Sequence, residues 1–426
     1  MSKHKKKNRQ KKYKIHSRPT TTPMNSGRIP FSCIVKPVGA RCNLRCEHCF
    51  YLDKTQFYQD PSAHTMSDEL LERFVQDYLA SQPVGTREIN FVWQGGEPTL
   101  AGLDFFKRAV ALEKKYAPPG MRVLNSFQTN GTLLDDEWGK FLGAHDFLVG
   151  ISIDGPKPMH DRFRVNAAGG GSFEAAMRGL EALRKHRVEY NILTCVQSDN
   201  AEHGVEVYEF LKTLGTSFFQ FIPIVEYEGL PPDSSRQNTN ETSAAYQLSE
   251  RSVSGEQLGR FMTGIFDRWL EGDVGRYFVQ SFDVCLGLMI GHPAGVCVNS
   301  RHCGRGIVVE HNGDVYACDH YVFPEYRLGS LAKNRLREMV DGARQTSFGI
   351  AKDSGLPQVC RSCEYRNLCN GGCPAHRVVA QDGEEFGINH LCAGYRQFYG
   401  HALPIFRAMG RALQNQRPAA DWKVFY

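Results

Sequence analysis

Eleven of the fourteen cysteines in this 426-residue chain fall into two groups, three between positions 42 and 49 and eight between 297 and 392. In a reducing compartment such numbers argue against a disulfide framework and for metal or redox chemistry. The rest of the chain points to that compartment. No apolar run approaches the ~18 residues of a membrane span. The basic N-terminus has no apolar stretch behind it and so is not a secretory signal. The expected location is cytoplasmic, with no membrane partner.

The chain is longer than one ordinary core, so a large catalytic domain plus a smaller one is expected. Hydrophobic residues make up 41% and charged residues 23%, the balance of a globular protein. The net charge of +5 is misleading. Residues 1–18 hold seven Lys and two Arg with no acidic residue; without those nine, 42 basic residues face 46 acidic ones. The segment 1–28 lacks the apolar residues needed to order it and reads as a solvated, disordered tail. Its charge could also touch nucleic acid or an acidic partner, but nucleic acid is not expected as a partner and the tail is assigned no function.

From Phe31 to about Val225 strand-like and helix-like segments alternate. The strands are expected at Phe31–Val38, Glu88–Trp93, Arg122–Gln128, Phe147–Ile153, Tyr190–Gln197 and Phe218–Ile224. Amphipathic helices are expected at Ser67–Ser81, Leu103–Tyr116, Ser172–His186 and Glu202–Leu214, with Ser67 and Ser172 as N-caps. Six such units imply an α/β fold with a parallel sheet, curled into a barrel or part of one. Reactive residues then collect where strands end. Cys42–Cys49, Gly95-Gly96-Glu97-Pro98, Thr129-Asn130-Gly131 and Ser152-Ile153-Asp154-Gly155 all fall there. The polar stretch 229–254 reads as a long loop or cover, followed by a helix over about Gly255–Glu271. Short strands Gly306–Glu310 and Asp314–Ala317 flank a hairpin turn at His311-Asn312-Gly313. A helix over about Tyr395–Gln414 closes the chain.

Cys42-x3-Cys46-x2-Cys49 puts three thiolates on one tight loop, suited to an iron–sulfur cluster or to zinc. For zinc, His48 is a conceivable fourth ligand. For a four-iron cube, three thiolates leave one iron open. Gly95 and Gly96 allow a ligand to approach the backbone closely, and Pro98 fixes the turn. Exposed backbone groups and Glu97 could then receive an ammonium, although an ordinary βα turn would look the same.

Together these motifs, with Phe50 and Tyr51 after the last cysteine, resemble the radical S-adenosylmethionine superfamily. The resemblance implies that the cofactor's methionine moiety chelates the open iron and that reductive cleavage yields a 5′-deoxyadenosyl radical. It also implies that the Gly-Gly-Glu-Pro loop binds the methionine ammonium. The later run Cys360-x2-Cys363-x5-Cys369-x3-Cys373, then Cys392, resembles the SPASM extension of peptide-modifying radical enzymes, and Cys297-x5-Cys303-x14-Cys318 its upstream half. By count alone two zinc sites would also fit. The resemblance implies three [4Fe-4S] clusters. One is held by Cys297, Cys303, Cys318 and Cys373, and another by Cys360, Cys363, Cys369 and Cys392. Cys33, Cys195 and Cys285 read as packing residues. The implied division is a partial (β/α)6 TIM-like barrel over 29–228, loop and connecting helices over 229–290, a SPASM domain over 291–394, and a C-terminal helix and tail over 395–426.

Asp319-His320-Tyr321-Val322, Gln94 and Phe398-Tyr399-Gly400-His401 look like the anaerobic sulfatase-maturating enzymes, from about Pro30 to Met409. His320 departs from the aromatic common there. That likeness implies oxidation of a Cys or Ser in a nascent or unfolded sulfatase to Cα-formylglycine, with a reductant such as flavodoxin or ferredoxin. Asp319 would be the base that takes the thiol or hydroxyl proton. Tyr51 and Gln94 would line the pocket and Ser152 would contact the cofactor, or else Tyr51 is a barrel wall and Ser152 a strand-end residue. Asp154 and Arg164 could form an ion pair near the rim. Rival readings are a radical enzyme that forms a thioether or carbon–carbon crosslink in a ribosomal peptide, and a zinc-stabilised nucleic-acid-binding module.

Overall fold

The apolar runs between Ser32 and Pro223 become six strands, β1 (Ser32–Lys36), β2 (Glu88–Trp93), β3 (Arg122–Thr129), β4 (Leu148–Ser152), β5 (Glu189–Val196) and β6 (Phe218–Pro223). The structure, a computed structural model, describes residues 29–58, 65–228, 247–379, 381 and 387–426. The basic tail 1–28 and most of the expected cover, 229–246, lie outside the described residues. At the ends of that cover, β7 (Tyr227–Glu228) pairs antiparallel with β8 (Gln247–Leu248).

Strands β1 to β6 pair in parallel and in sequence order. Two further strands extend this sheet. On one side β9 (Phe278–Val279) runs parallel to β6; on the other, β10 (Gly306–Glu310) runs parallel to β1. The hairpin strands β11 (Asp314–Tyr316) and β12 (Arg327–Ser330) continue outward from β10. The cysteine-rich half and the six βα units therefore share one ten-stranded sheet, ordered β12-β11-β10-β1-β2-β3-β4-β5-β6-β9. Strand β10 covers the backbone edge that β1 would otherwise leave open.

Helices bury the outer face of the sheet. Asp68–Ala80 starts at Ser67, whose hydroxyl accepts from Leu70 N, and Leu103–Tyr116 matches its expected bounds. Phe74, Phe91, Trp93, Phe105, Phe106 and Phe127 are fully buried between sheet and helices. Each such side chain contributes roughly 1.5–3 kcal/mol by leaving water. Ser172 does not cap Phe173–Lys185: its hydroxyl donates to Arg164 O, and Asp161 Oδ1 takes the Phe173 N–H at 2.8 Å. A carboxylate from the preceding helix thus outcompetes the local hydroxyl. Helices Asp136–Ala144, Lys157–Phe163 and Gln280–Met289 were not anticipated.

Helix Gly255–Leu270 opens with a capping box between Ser254 and Gln257. It packs against the closing helix Cys392–Gln414, which begins ahead of the expected Tyr395. The approach needs glycine, since a Cβ on Gly394 would lie 2.2 Å from Gly255 O. Among the described residues no helix is long and apolar enough to cross a membrane.

Candidate active site

The three clustered cysteines sit on the loop that follows β1. Turns Gly39 N→Lys36 O and Arg41 N→Val38 O fold it back, and Arg45 N→Val165 O and Glu47 N→Phe163 O pin it to the chain beyond β4. The loop after β2 is tied to it: Gly96 N donates to Gly39 O at 2.7 Å and Glu97 N to Arg41 O at 2.9 Å. A Cβ on Gly96 would lie 2.1 Å from Arg41 O. Glycine is therefore required there by close approach.

Glu97 is fully buried, and its carboxylate is committed inside the protein. Oε1 accepts from Thr99 N, Thr99 Oγ1 and Thr129 Oγ1, and Oε2 from Asn130 N. It clasps the β2 loop to the β3 loop. Asn130 Nδ2 in turn donates to Asn43 Oδ1 at 2.9 Å, beside Cys42. Gln94 and Gly95 are half-buried at the end of β2. Ser152, at the end of β4, accepts from Gln128 Nε2 at 3.1 Å.

Burial pushes the Cys42 thiol up to about 12 and Cys46 to about 11, and it also raises Cys49. Cys42 is raised further by Glu97, then by Cys46 and Cys49. Arg164 opposes the rise at Cys46 and Cys49. Three soft donors that resist ionising together are a set that a cationic metal cluster satisfies.

The Asp154–Arg164 pair is deeply buried, away from any rim. Arg164 Nε lies 2.6 Å from Asp154 Oδ2, and Nη2 donates to Cys195 Sγ at 3.3 Å. Cys195 is thus part of a polar network, whereas Cys33 and Cys285 are buried packing residues. His48 lies 3.9 Å from Asp154, and burial holds its imidazole down at about 4, so it is neutral. A metal-sized grouping of His48, Asp154 and Cys195 exists, but the Arg164 guanidinium already engages two of its members, Asp154 and Cys195.

Across the mouth of the sheet, β10 places Glu310 in register with Lys36 of β1. Lys36 is 1% exposed; its Nζ lies 2.6 Å from Asp319 Oδ1 and 3.8 Å from the centre of the Tyr51 ring. Tyr51 is also buried, and its hydroxyl donates to Glu310 Oε1. Burial, then the Glu310 and Asp319 charges, keep that phenol protonated. Phe50 stacks on His320 at 5.4 Å. Lys36 and Glu310 were not singled out in the sequence. The available signal was a charge ending an otherwise apolar strand, Cys33-Ile34-Val35-Lys36 and Ile307-Val308-Val309-Glu310.

In the cysteine-rich half, Cys318 ends the β10–β11 hairpin and Cys392 starts the closing helix. Between Cys369 and Cys373, Asn370, Gly371 and Gly372 are all left-handed, which curls the loop tightly. Burial raises Cys318 and Cys373, with further contributions among Cys297, Cys303, Cys318 and Cys373. Burial likewise raises Cys369, with further contributions from Cys392, Cys360 and Cys363. These influences run within the two sets of four that the resemblance implies.

Residues 37–211 match the radical SAM superfamily, and residues 297–364 match the iron–sulfur cluster-binding SPASM domain. The chain is 43% identical over 392 residues to a serine-type anaerobic sulfatase-maturating enzyme of Bacteroides thetaiotaomicron, covering 92% of this chain and 94% of that one. It belongs to the anaerobic sulfatase-maturating enzyme family. A cysteine-type member from Clostridium perfringens is 33% identical, over 88% of this chain and 97% of its own. The solved structure of native anSMEcpe with bound AdoMet and the Cp18Cys peptide superposes with a TM-score of 0.78, at 31% identity over 90% of this chain and all of that one. The sheet of this sulfatase-maturating family member is accordingly the partial barrel of radical SAM enzymes, and its cofactors are S-adenosylmethionine and iron–sulfur clusters. Cys42, Cys46 and Cys49 lie within the radical SAM match. Cys369, Cys373 and Cys392 lie beyond the end of the SPASM match.

Proposed function

We propose that this enzyme matures sulfatases without oxygen, oxidising a Cys or Ser of an unfolded or nascent sulfatase polypeptide to Cα-formylglycine. The observation that carries this reading is the Lys36–Asp319 pair. It sets a charge-paired carboxylate at the strand ends that also carry the three-cysteine loop.

Cys42, Cys46 and Cys49 would hold one cluster, leaving an iron for S-adenosylmethionine. When bound, that pair supplies the 5′-deoxyadenosyl radical that removes hydrogen from an unactivated carbon. Two sets of four, Cys297, Cys303, Cys318, Cys373 and Cys360, Cys363, Cys369, Cys392, would hold two more [4Fe-4S] clusters, three in all, and the one held in part by Cys318 would take up the second electron of the oxidation. Asp319 takes the substrate thiol or hydroxyl proton onto its carboxylate. Lys36 holds that carboxylate in place. The methionine ammonium would meet backbone carbonyls of Gly95, Gly96 and Glu97, because the Glu97 side chain is already engaged as the loop's clasp. Tyr51 and Gln94 would line the substrate and cofactor pocket, and Ser152 would contact the cofactor. A flavodoxin or ferredoxin would deliver the reducing electron.

The test is anaerobic incubation of the reduced, reconstituted enzyme with sulfatase-derived peptides carrying Cys or Ser at the target position, followed by mass spectrometry. Formation of an aldehyde supports the reading. A crosslinked peptide, or none modified, would overturn it.

A further inference from the structure

Two cations, the buried Lys352 and the half-buried Arg377, lie against the cysteine-bearing loops, and neither has a carboxylate partner among the described residues. Lys352, 1% exposed, donates to the carbonyls of Cys297 at 2.5 Å, Val298 at 3.0 Å and Ser300 at 2.5 Å. The adjacent carboxylate, Asp353, is taken by Arg301 at 2.8 Å and Arg366 at 3.1 Å. Arg377 donates to Gly371 O at 3.0 Å, Asn370 O at 2.9 Å and Lys352 O at 2.7 Å. Both therefore end on neutral carbonyls.

Holding an ammonium out of water, or a guanidinium partly so, is unfavourable unless negative charge is near. Their hydrogen bonds place both beside the proposed cluster ligands. Lys352 caps the carbonyl of Cys297, a member of one set of four. Arg377 caps the carbonyls of Asn370 and Gly371, in the turn that joins Cys369 of one set to Cys373 of the other. A four-iron cube held by four thiolates is a net anion and becomes more negative when it accepts an electron. A fixed cation beside it favours the reduced form and raises its potential.

We infer that Lys352 and Arg377 set the reduction potentials of the two clusters in the cysteine-rich half, Lys352 acting on the Cys297 quartet and Arg377 on both. They are tuning residues that make these clusters better electron acceptors and touch no substrate. The inference rests on the cluster assignment proposed above.

The experiment compares full-length, anaerobically reconstituted R377M and K352M with the charge-keeping R377K and K352R. Iron and sulfide are measured first, then each cluster's midpoint potential by titration followed by electron paramagnetic resonance. In the Met variants the clusters of the cysteine-rich half should move negative, by a tenfold change in the one-electron equilibrium, about 59 mV. R377K and K352R should stay near wild type, and the first cluster should not move in any variant. Unmoved midpoints in iron-replete R377M and K352M overturn the inference. If R377M loses iron, full iron and a wild-type midpoint in R377K sustain it. Iron loss in both Arg377 variants overturns it in favour of a purely hydrogen-bonding strut. Wild-type protein holding only one cluster would instead sink the cluster assignment itself.

Discussion

Lys36 Nζ lies 2.6 Å from Asp319 Oδ1, joining the end of β1 to the turn that follows the β10–β11 hairpin. Two segments far apart in the sequence supply this pair. If Asp319 is the base, Asp319→Asn should retain deoxyadenosine release while aldehyde formation falls by roughly 10²–10⁴-fold. Lys36→Met should uncouple the two products in the same sense and Lys36→Arg should restore coupling. The measurement is the ratio of deoxyadenosine to aldehyde by liquid chromatography and mass spectrometry. An unchanged ratio in Asp319→Asn removes Asp319 from the reaction.

Cys46→Ala should abolish cofactor cleavage and lower iron from about twelve to about eight per chain, with four irons in each remaining cube. Iron analysis and deoxyadenosine release check both halves. Retained cleavage would contradict the first-cluster assignment.

Gly96→Ala should break the join between the two loops, because its Cβ meets the Arg41 carbonyl at 2.1 Å. Either the cysteine loop moves or the backbone strains, at a cost of about 1–3 kcal/mol. The readout is a lower melting midpoint together with weaker S-adenosylmethionine binding. Wild-type values for both would mean that the loop yields freely.

Glu113 gives a pH dependence whose sign can be worked out. The carboxyl is buried, with only Oε2 hydrogen-bonded, to Asn125, and burial pushes it up to about 8. Folded protein keeps this group protonated, whereas the unfolded chain releases the proton above its ordinary value of 4.5. The unfolded state therefore binds fewer protons between those values, and stability falls as pH rises from about 4.5 to about 8. Glu113→Gln should remove this loss, raising the melting midpoint over wild type more at about pH 8 than at about pH 5. About 2–4 °C per kcal/mol is expected for a domain of roughly 150–250 residues. Parallel midpoint curves for the two proteins would show that Glu113 does not drive the slope.

Much of this protein is written locally. Period-two runs such as Glu88–Trp93 and the amphipathic stretch Leu103–Tyr116 form at their expected bounds because side-chain periodicity decides which face leaves water. The spacing of Cys42, Cys46 and Cys49 puts three thiols on one loop for the same short-range reason. Ser172 and Asp154 were harder to read, because their partners, Arg164 O, His48 and Cys195, come from other segments. What no local pattern contains is that β10 pairs with β1. That pairing alone sets Glu310 beside Lys36 and carries Asp319 to the cysteine loop. Strand partners far apart in sequence are selected by the burial and hydrogen bonding of the finished sheet, so only the tertiary structure decides which charges meet.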